Sequence, residues 1–253
     1  SQINFKFNDL IGKLPIFAQT KKGFRNLTKL SSKSFLDVEA SKLPHCNIED
    51  LLEHNEDLIV TSGGLDSLFF QLIKKNNSKQ LEQFSSKIKS IFGDRLYLEV
   101  QRHNDDEEKV FENNLLELSN KMKIPLIASQ EVFYIQQDMF EAHDALLCIG
   151  QKTYVSDEKR KKYSNQHFIK NTEEIKSIYE DIPEALENNF NFPLRFSYKL
   201  KKSAPNLPSI KISSNLSEQD ELLRQSNIGL INRFENFIFK NQKSFNKSKI
   251  EKV

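Results

Sequence analysis

The stretch LIVTSGGLDSLFFQLI, residues 58–73, sets the reading of the chain. An apolar run, Leu58 to Thr61, meets a small, polar turn, Ser62 to Ser67, and a second apolar run follows. That is the pattern of a buried strand, a tight turn and a helix. Downstream the alternation continues. Lys79 to Phe92 reads as a helix stopped by Gly93, and Leu96 to Val100 as a strand. Phe111, Leu115, Leu118 and Met122 recur at helical spacing, Ile124 to Ala128 reads as a strand, and Met139, Ala142, Leu146 and Ile149 mark a further helix face. Upstream, Ile3, Phe5 and Phe7 alternate with polar residues as in a short strand, and Leu14 to Ala18 suggests a second. Gly23 to Phe35 has helical spacing, and Ile48 to Leu52 reads as a helical turn. Strands alternating with helices predict an α/β fold with a parallel sheet or barrel.

The 253 residues suffice for one large domain or a domain with an appendage. Hydrophobic residues make up 38% and charged residues 28%, as in an ordinary globular chain. A net charge of +2 gives no bulk argument for nucleic-acid or membrane binding. The clusters Lys159-Arg160-Lys161-Lys162 and Lys201-Lys202 read as solvated loops. No apolar run of about 18 residues and no signal peptide are visible, so no membrane partner is expected. Cys46 and Cys148 match no metal or redox spacing and read as free thiols, which predicts a cytoplasmic protein. The chain begins at Ser1 without a methionine, as expected of a processed, excised or partial gene product.

Beyond residue 150 the pattern changes. Thr172 with Glu173 and Glu174 reads as an N-capped helix start. Phe192 to Pro208, with Pro193, Pro205 and Pro208, reads as a connector. Ser217 to Asp220 resembles a capping box opening a helix with Leu222, Leu223, Leu230 and Phe234, and the Lys-rich tail from Asn241 is expected to fray.

The turn admits a chemical reading. SGGxDS is similar to the signature of PP-loop ATP pyrophosphatases, in which small residues let backbone N–H groups approach a phosphate at a helix N-terminus. On that alternative Ser62, Gly63, Gly64, Asp66 and Ser67 form a nucleotide loop. The context argues otherwise, because at least three elements precede the loop and two helical segments separate it from the next strand.

Several ordered segments are more specific. GDRLYLEVQRH (93–103), EAHDALLCIG (141–150) and EDIPEALENN (180–189) resemble the N-terminal region of bacterial DNA polymerase III alpha subunits, in a degenerate, alphaproteobacterial-like form. IPLIASQEVFYI (124–135) sits where that family reads approximately LPLVATNDVHYL. KLPIFAQTKKGFRNLTKLSS (13–32) is similar to a segment opening with HLVLLA, and LIVTSGG falls at an LSGC-type turn. The resemblance covers about residues 1–240. It implies a PHP (polymerase and histidinol phosphatase) domain over residues 1–190, a distorted (β/α)7 barrel incomplete at its N-terminus. It also implies a connector and helix over 191–253 leading towards the polymerase palm.

Active members of the family hold metal ions that activate water for phosphoester hydrolysis. The resemblance places the ligand positions visible here at Gln2, Lys13, Gly64, Glu131 and Phe133. Lysine, glycine and phenylalanine cannot replace histidine or cysteine ligands, so no metal and no catalytic residue is expected in this piece. An active PHP phosphoesterase is the remaining enzymatic alternative. Glu99, His103 and His143 are polar barrel residues that fall on no carried-over motif, and Asp105 to Glu108 read as an acidic first helical turn. The implied parent is a template-directed DNA polymerase with magnesium in its palm. The implied partners are the proofreading exonuclease subunit, other replicase subunits and, through the parent, DNA.

Overall fold

Buried strands carrying continuous apolar runs form the centre of the protein, for which a computed structural model describes residues 1–75, 78–202, 204–205, 208 and 216–238. The elements, in chain order, are β1 (Gln2–Phe7), β2 (Leu10–Ala18), α1 (Lys21–Leu36), β3 (Cys46–Asn47), α2 (Ile48–Glu53), β4 (Leu58–Thr61), α3 (Leu68–Lys74) and α4 (Ser78–Phe92). Then follow β5 (Leu96–Gln101), α5 (Asp106–Met122), β6 (Leu126–Ser129), α6 (Phe140–Gln151), α7 (Thr172–Ile178), α8 (Pro183–Asn191) and α9 (Glu218–Arg233). Two units divide the chain, Ser1–Lys199 and Leu200–Val253. Among the described residues no helix is long and apolar enough to cross a membrane.

In the first unit six strands pair in the order β3-β1-β2-β4-β5-β6. The α/β class holds, but the sheet is mixed. β4, β5 and β6 are parallel, whereas β2 is antiparallel to both β1 and β4. The β1–β2 hairpin turns at Asn8, whose φ of 53° is left-handed and suits asparagine. The parallel strands are buried on both faces, which is why LIVT, LYLEVQ and LIAS read as apolar runs.

The main core gathers Phe5, Leu14 and Ile16 from the hairpin, Phe69 and Leu72 from α3, Phe84 and Ile88 from α4, and Phe111 and Leu115 from α5. A smaller cluster on Ile59, Tyr97 and Ile127 is covered by Phe192 and Phe196, so part of the segment read as connector packs on the sheet.

Three local expectations need correction. The N-cap of α7 is Asn171, which closes a capping box with Glu174; Thr172 is the first helical residue. In α6 the inward face is Phe140, His143, Asp144, Leu147 and Cys148, while Leu146 (64%) and Ile149 (75%) are exposed with Met139 and Ala142. Both stripes have helical spacing, and the pairing of Asp144 with Arg160, 16 residues away, fixes which one turns inward. That same Arg160 corrects the basic cluster: its side chain is buried on Asp144, whereas Lys159, Lys161 and Lys162 are exposed.

In the second unit Ser217 caps α9, accepting from the Asp220 N–H at 3.1 Å and donating to the Asp220 carboxylate at 2.6 Å. Leu222, Leu223 and Leu230 are exposed. The Lys-rich tail from Asn241 lies outside the described residues.

Candidate functional site

A cavity of about 570 Å³ opens where the parallel strands end. Loops at the carboxyl ends of parallel strands are where open α/β sheets present side chains to a ligand. Its wall includes Gln2 from β1, Lys13 from β2, Gly64 and Asp66 from the turn after β4, Glu99 and Gln101 from β5, and Glu131 and Phe133 from the segment after β6. All five positions singled out as ligand equivalents therefore share one cavity, together with Glu99.

Glu99 is the best-anchored carboxylate there. Thr61 Oγ1 donates to its Oε2 at 2.7 Å, Gln101 Nε2 donates to Oε1 at 2.8 Å, and Ser129 Oγ donates to the same Oε1. Each donor is neutral, and they come from β4, β5 and β6, so the network ties the three strand ends together. Gly64 leaves room for this arrangement. A Cβ at that position would lie 2.4 Å from Gln101 Oε1, so a cysteine there would push the Gln101 amide off Glu99.

Lys13 holds the SGGLDS turn in place. Its Nζ pairs with Asp66 Oδ2 at 2.5 Å, and its backbone N–H donates to the Asp66 carbonyl at 3.2 Å. The N–H groups at the two ends of the turn are occupied. The Ser62 N–H donates to the Tyr97 carbonyl and the Ser67 N–H to the Gly64 carbonyl, while Ser67 Oγ accepts from the Phe70 N–H as the cap of α3. Gly63, at a φ of 72°, makes the bend. α3 has seven residues. The small residues thus build a strand-to-helix corner whose first and last backbone donors, on Ser62 and Ser67, are already used.

His103, 1% exposed, lies behind the cavity wall. Its Nδ1 lies 2.6 Å from Glu108 Oε1, its backbone N–H donates to Glu108 Oε2 at 2.5 Å, and its Nε2 accepts the Glu131 backbone N–H at 3.0 Å. An accepting Nε2 requires the neutral ring with the proton on Nδ1, which donates to Glu108. Burial pushes the Glu108 carboxyl up, but the bonds from the His103 ring and backbone outweigh it and hold the group below the usual range. Glu108 is thus buried within the acid run that the sequence suggested was only a helix start.

The sequence reading missed His167. It stacks on His103 with ring centres 4.1 Å apart and planes 4° apart, and its Nδ1 donates to the Glu131 carbonyl at 2.9 Å. Burial depresses its pKa to about 4. Phe133 stacks on both His167 and His143. His143 thus lies behind Phe133 and outside the cavity lining, with its Nδ1 buried and unpartnered. Desolvation, then the charge of Asp66, raise the Glu131 carboxyl, although the residue remains exposed overall.

These residues fit a multi-metal centre poorly. Among the described residues no group of three or more His, Cys, Asp or Glu side chains could hold a metal ion. Lys13 sets an ammonium against the one carboxylate of the turn, and Gly64 and Phe133 offer no ligand atom.

Comparison with known proteins points to one family. Residues 4–103 match the family model of the PHP domain. The chain is 32% identical over 220 residues to the DNA polymerase III subunit alpha of Rickettsia bellii, covering 87% of this chain and 19% of that protein. It is 32% identical over 222 residues to that of Caulobacter vibrioides, covering 88% and 19%. For the Treponema pallidum protein of the same name the identity is 32% over 213 residues, covering 83% and 18%. The chain therefore spans about a fifth of the length of the curated relatives it matches.

Proposed function

We propose, on the premise that this chain is a PHP-domain relative of the DNA polymerase III alpha subunits, that it is the N-terminal PHP portion of a replicative DNA polymerase. In this reading its metal site is degenerate, and its work is structural and partner-binding. The parent adds deoxynucleotides to a primer on a DNA template in the cytoplasm, with magnesium in a palm that these residues do not supply. The six-stranded sheet is then part of a PHP-type distorted (β/α)7 barrel. The proofreading exonuclease subunit is the partner, with other replicase subunits alongside.

One observation carries the reading. The positions equivalent to metal ligands converge on a single cavity, yet they present Gln2, Lys13, Gly64, Glu131 and Phe133. Convergence supports common descent from a metal-binding domain, and the residue types oppose the chemistry. No step of phosphoester hydrolysis is assigned to this cavity. The PP-loop alternative loses support from the occupied backbone donors of Ser62 and Ser67.

The test is size-exclusion chromatography of the chain mixed with the proofreading exonuclease subunit of the same replicase, beside a primer-extension assay. Co-elution with no extension is expected. Separate elution would remove the partner role, and extension by the chain alone would place the polymerase site within these residues.

A further inference from the structure

Among the described residues β6 is the end strand of the sheet, paired with β5 alone. An end strand turns half of its backbone N–H and C=O groups away from its one neighbour, and those groups need partners. Water is a poor source here, because Leu126, Ile127 and Ala128 are buried. Two adjacent side chains of α8 take the outward groups instead. Asn189 accepts from the Ala128 N–H through Oδ1 at 3.1 Å and donates from Nδ2 to the Ala128 carbonyl at 2.5 Å. Asn188 Nδ2 donates to the Leu126 carbonyl at 2.8 Å.

A side-chain amide carries the same donor and acceptor as a peptide group. Asn189 uses both on one residue, which reproduces the two-bond pairing of opposed residues in an antiparallel ladder. Holding α8 in place does not require these amides, since Ile182, Ala185 and Leu186 already pack the helix on the core. The strand they cover is LIAS, short, apolar and without a charge or proline to deter pairing. We propose that Asn188 and Asn189 act as a surrogate strand, and that the β6 edge they close is a pairing surface for the same edge of a second copy of this chain. With the amides in place the edge is satisfied within one chain. Without them, two β6 edges can satisfy each other in a symmetric, self-complementary contact. This inference concerns the sheet edge and is independent of the reading of the cavity.

The experiment is hydrogen exchange of the full chain, wild type and Asn189→Ala, over a concentration series, beside light scattering for the mass in solution. Wild type is expected to stay monomeric with the Ala128 amide protected. In dilute Asn189→Ala that amide should exchange about tenfold faster. At higher concentration the variant should associate, and the same amide should become protected again. Ile48→Val trims the core at the other end of the sheet, where α2 follows β3, and should lower the melting temperature without association. An Asn189→Ala chain that stays monomeric overturns the proposal, as does association of wild type to the same extent. Association of Ile48→Val also overturns it, because loss of stability alone would then explain the effect. If Asn189→Ala is insoluble, Asn189→Asp replaces it, since a carboxylate cannot donate to the Ala128 carbonyl. If both are insoluble, a precipitate that binds thioflavin T supports strand pairing, and one that does not overturns it.

Discussion

Arg102 reaches Asp181, 79 residues along the chain, through bonds of 2.6 Å to Oδ1 and 2.8 Å to Oδ2. The same guanidinium grips Glu112 on α5 and the Ile178 carbonyl at the end of α7, and stands 5.1 Å from the Tyr179 ring centre. It joins the end of β5, helix α5 and the turn before α8. The Tyr179 hydroxyl, in reach of the Val100 and Ser129 carbonyls, completes the joint.

Arg102→Ala should therefore lower stability by about 2 kcal/mol, since the guanidinium is mostly buried and leaves the largely buried Glu112 unpaired. Asp181→Asn should cost under about 1 kcal/mol, because that carboxylate is more than half exposed. Urea unfolding at constant m-value checks both, and equal losses would refute this ranking.

Gly23 faces Asp57 at a distance that leaves no room for a side chain. A Cβ there would lie 2.1 Å from the Asp57 carbonyl oxygen, a backbone atom that also accepts from the Gln19 N–H. Gly23→Ala should destabilise the chain by about 3 kcal/mol. A melting temperature equal to that of wild type would show that α1 can shift freely.

Acid should weaken the fold before the carboxylates as a class titrate. His167 has its folded pKa depressed to about 4, below the ordinary value of 6.5. Its neutral form is favoured by folding, so its contribution is complete above pH 6.5 and is lost as pH falls towards 4. In that window the unfolded chain binds up to one more proton, a slope of at most about 1.4 kcal/mol per pH unit. Glu108, held below the usual carboxylate range, adds a loss at lower pH, as it is protonated. Denaturant midpoints measured across this range should fall, and His167→Phe should flatten the slope between pH 6.5 and 4. An unchanged slope in the variant would mean that another group carries it.

ATP should not bind at Ser62 to Ser67. Isothermal titration with ATP and magnesium should give no heat beyond dilution. Micromolar affinity that disappears in Asp66→Ala would restore the nucleotide-loop reading.

The elements that the sequence revealed are those whose pattern is set locally. β4, β5 and β6 are short apolar runs because both faces are covered, and Gly93 stops α4 as its position suggests. The antiparallel direction of β2 was not legible, because it follows from a two-residue turn at Asn8 and Asp9 whose geometry the alternation of Ile3, Phe5 and Phe7 does not encode. The inward face of α6 depended on Arg160, and the role of His167 on its stack with His103, both contacts between segments far apart in sequence. An isolated parallel bridge between Tyr134 and Phe168 sets the segment carrying His167 beside the loop after β6, where the Glu131 N–H meets His103, and no spacing in the sequence announces it.

The proposed reading, a PHP-like portion whose cavity is held by protein contacts in place of bound metal, makes one direct demand. Elemental analysis of the chain purified without chelator, alongside a phosphoesterase assay, tests it most directly. The account predicts far less than one equivalent of zinc, manganese or iron per chain, and no hydrolysis above background. Near-stoichiometric metal, with phosphoesterase activity abolished by chelation, would contradict it.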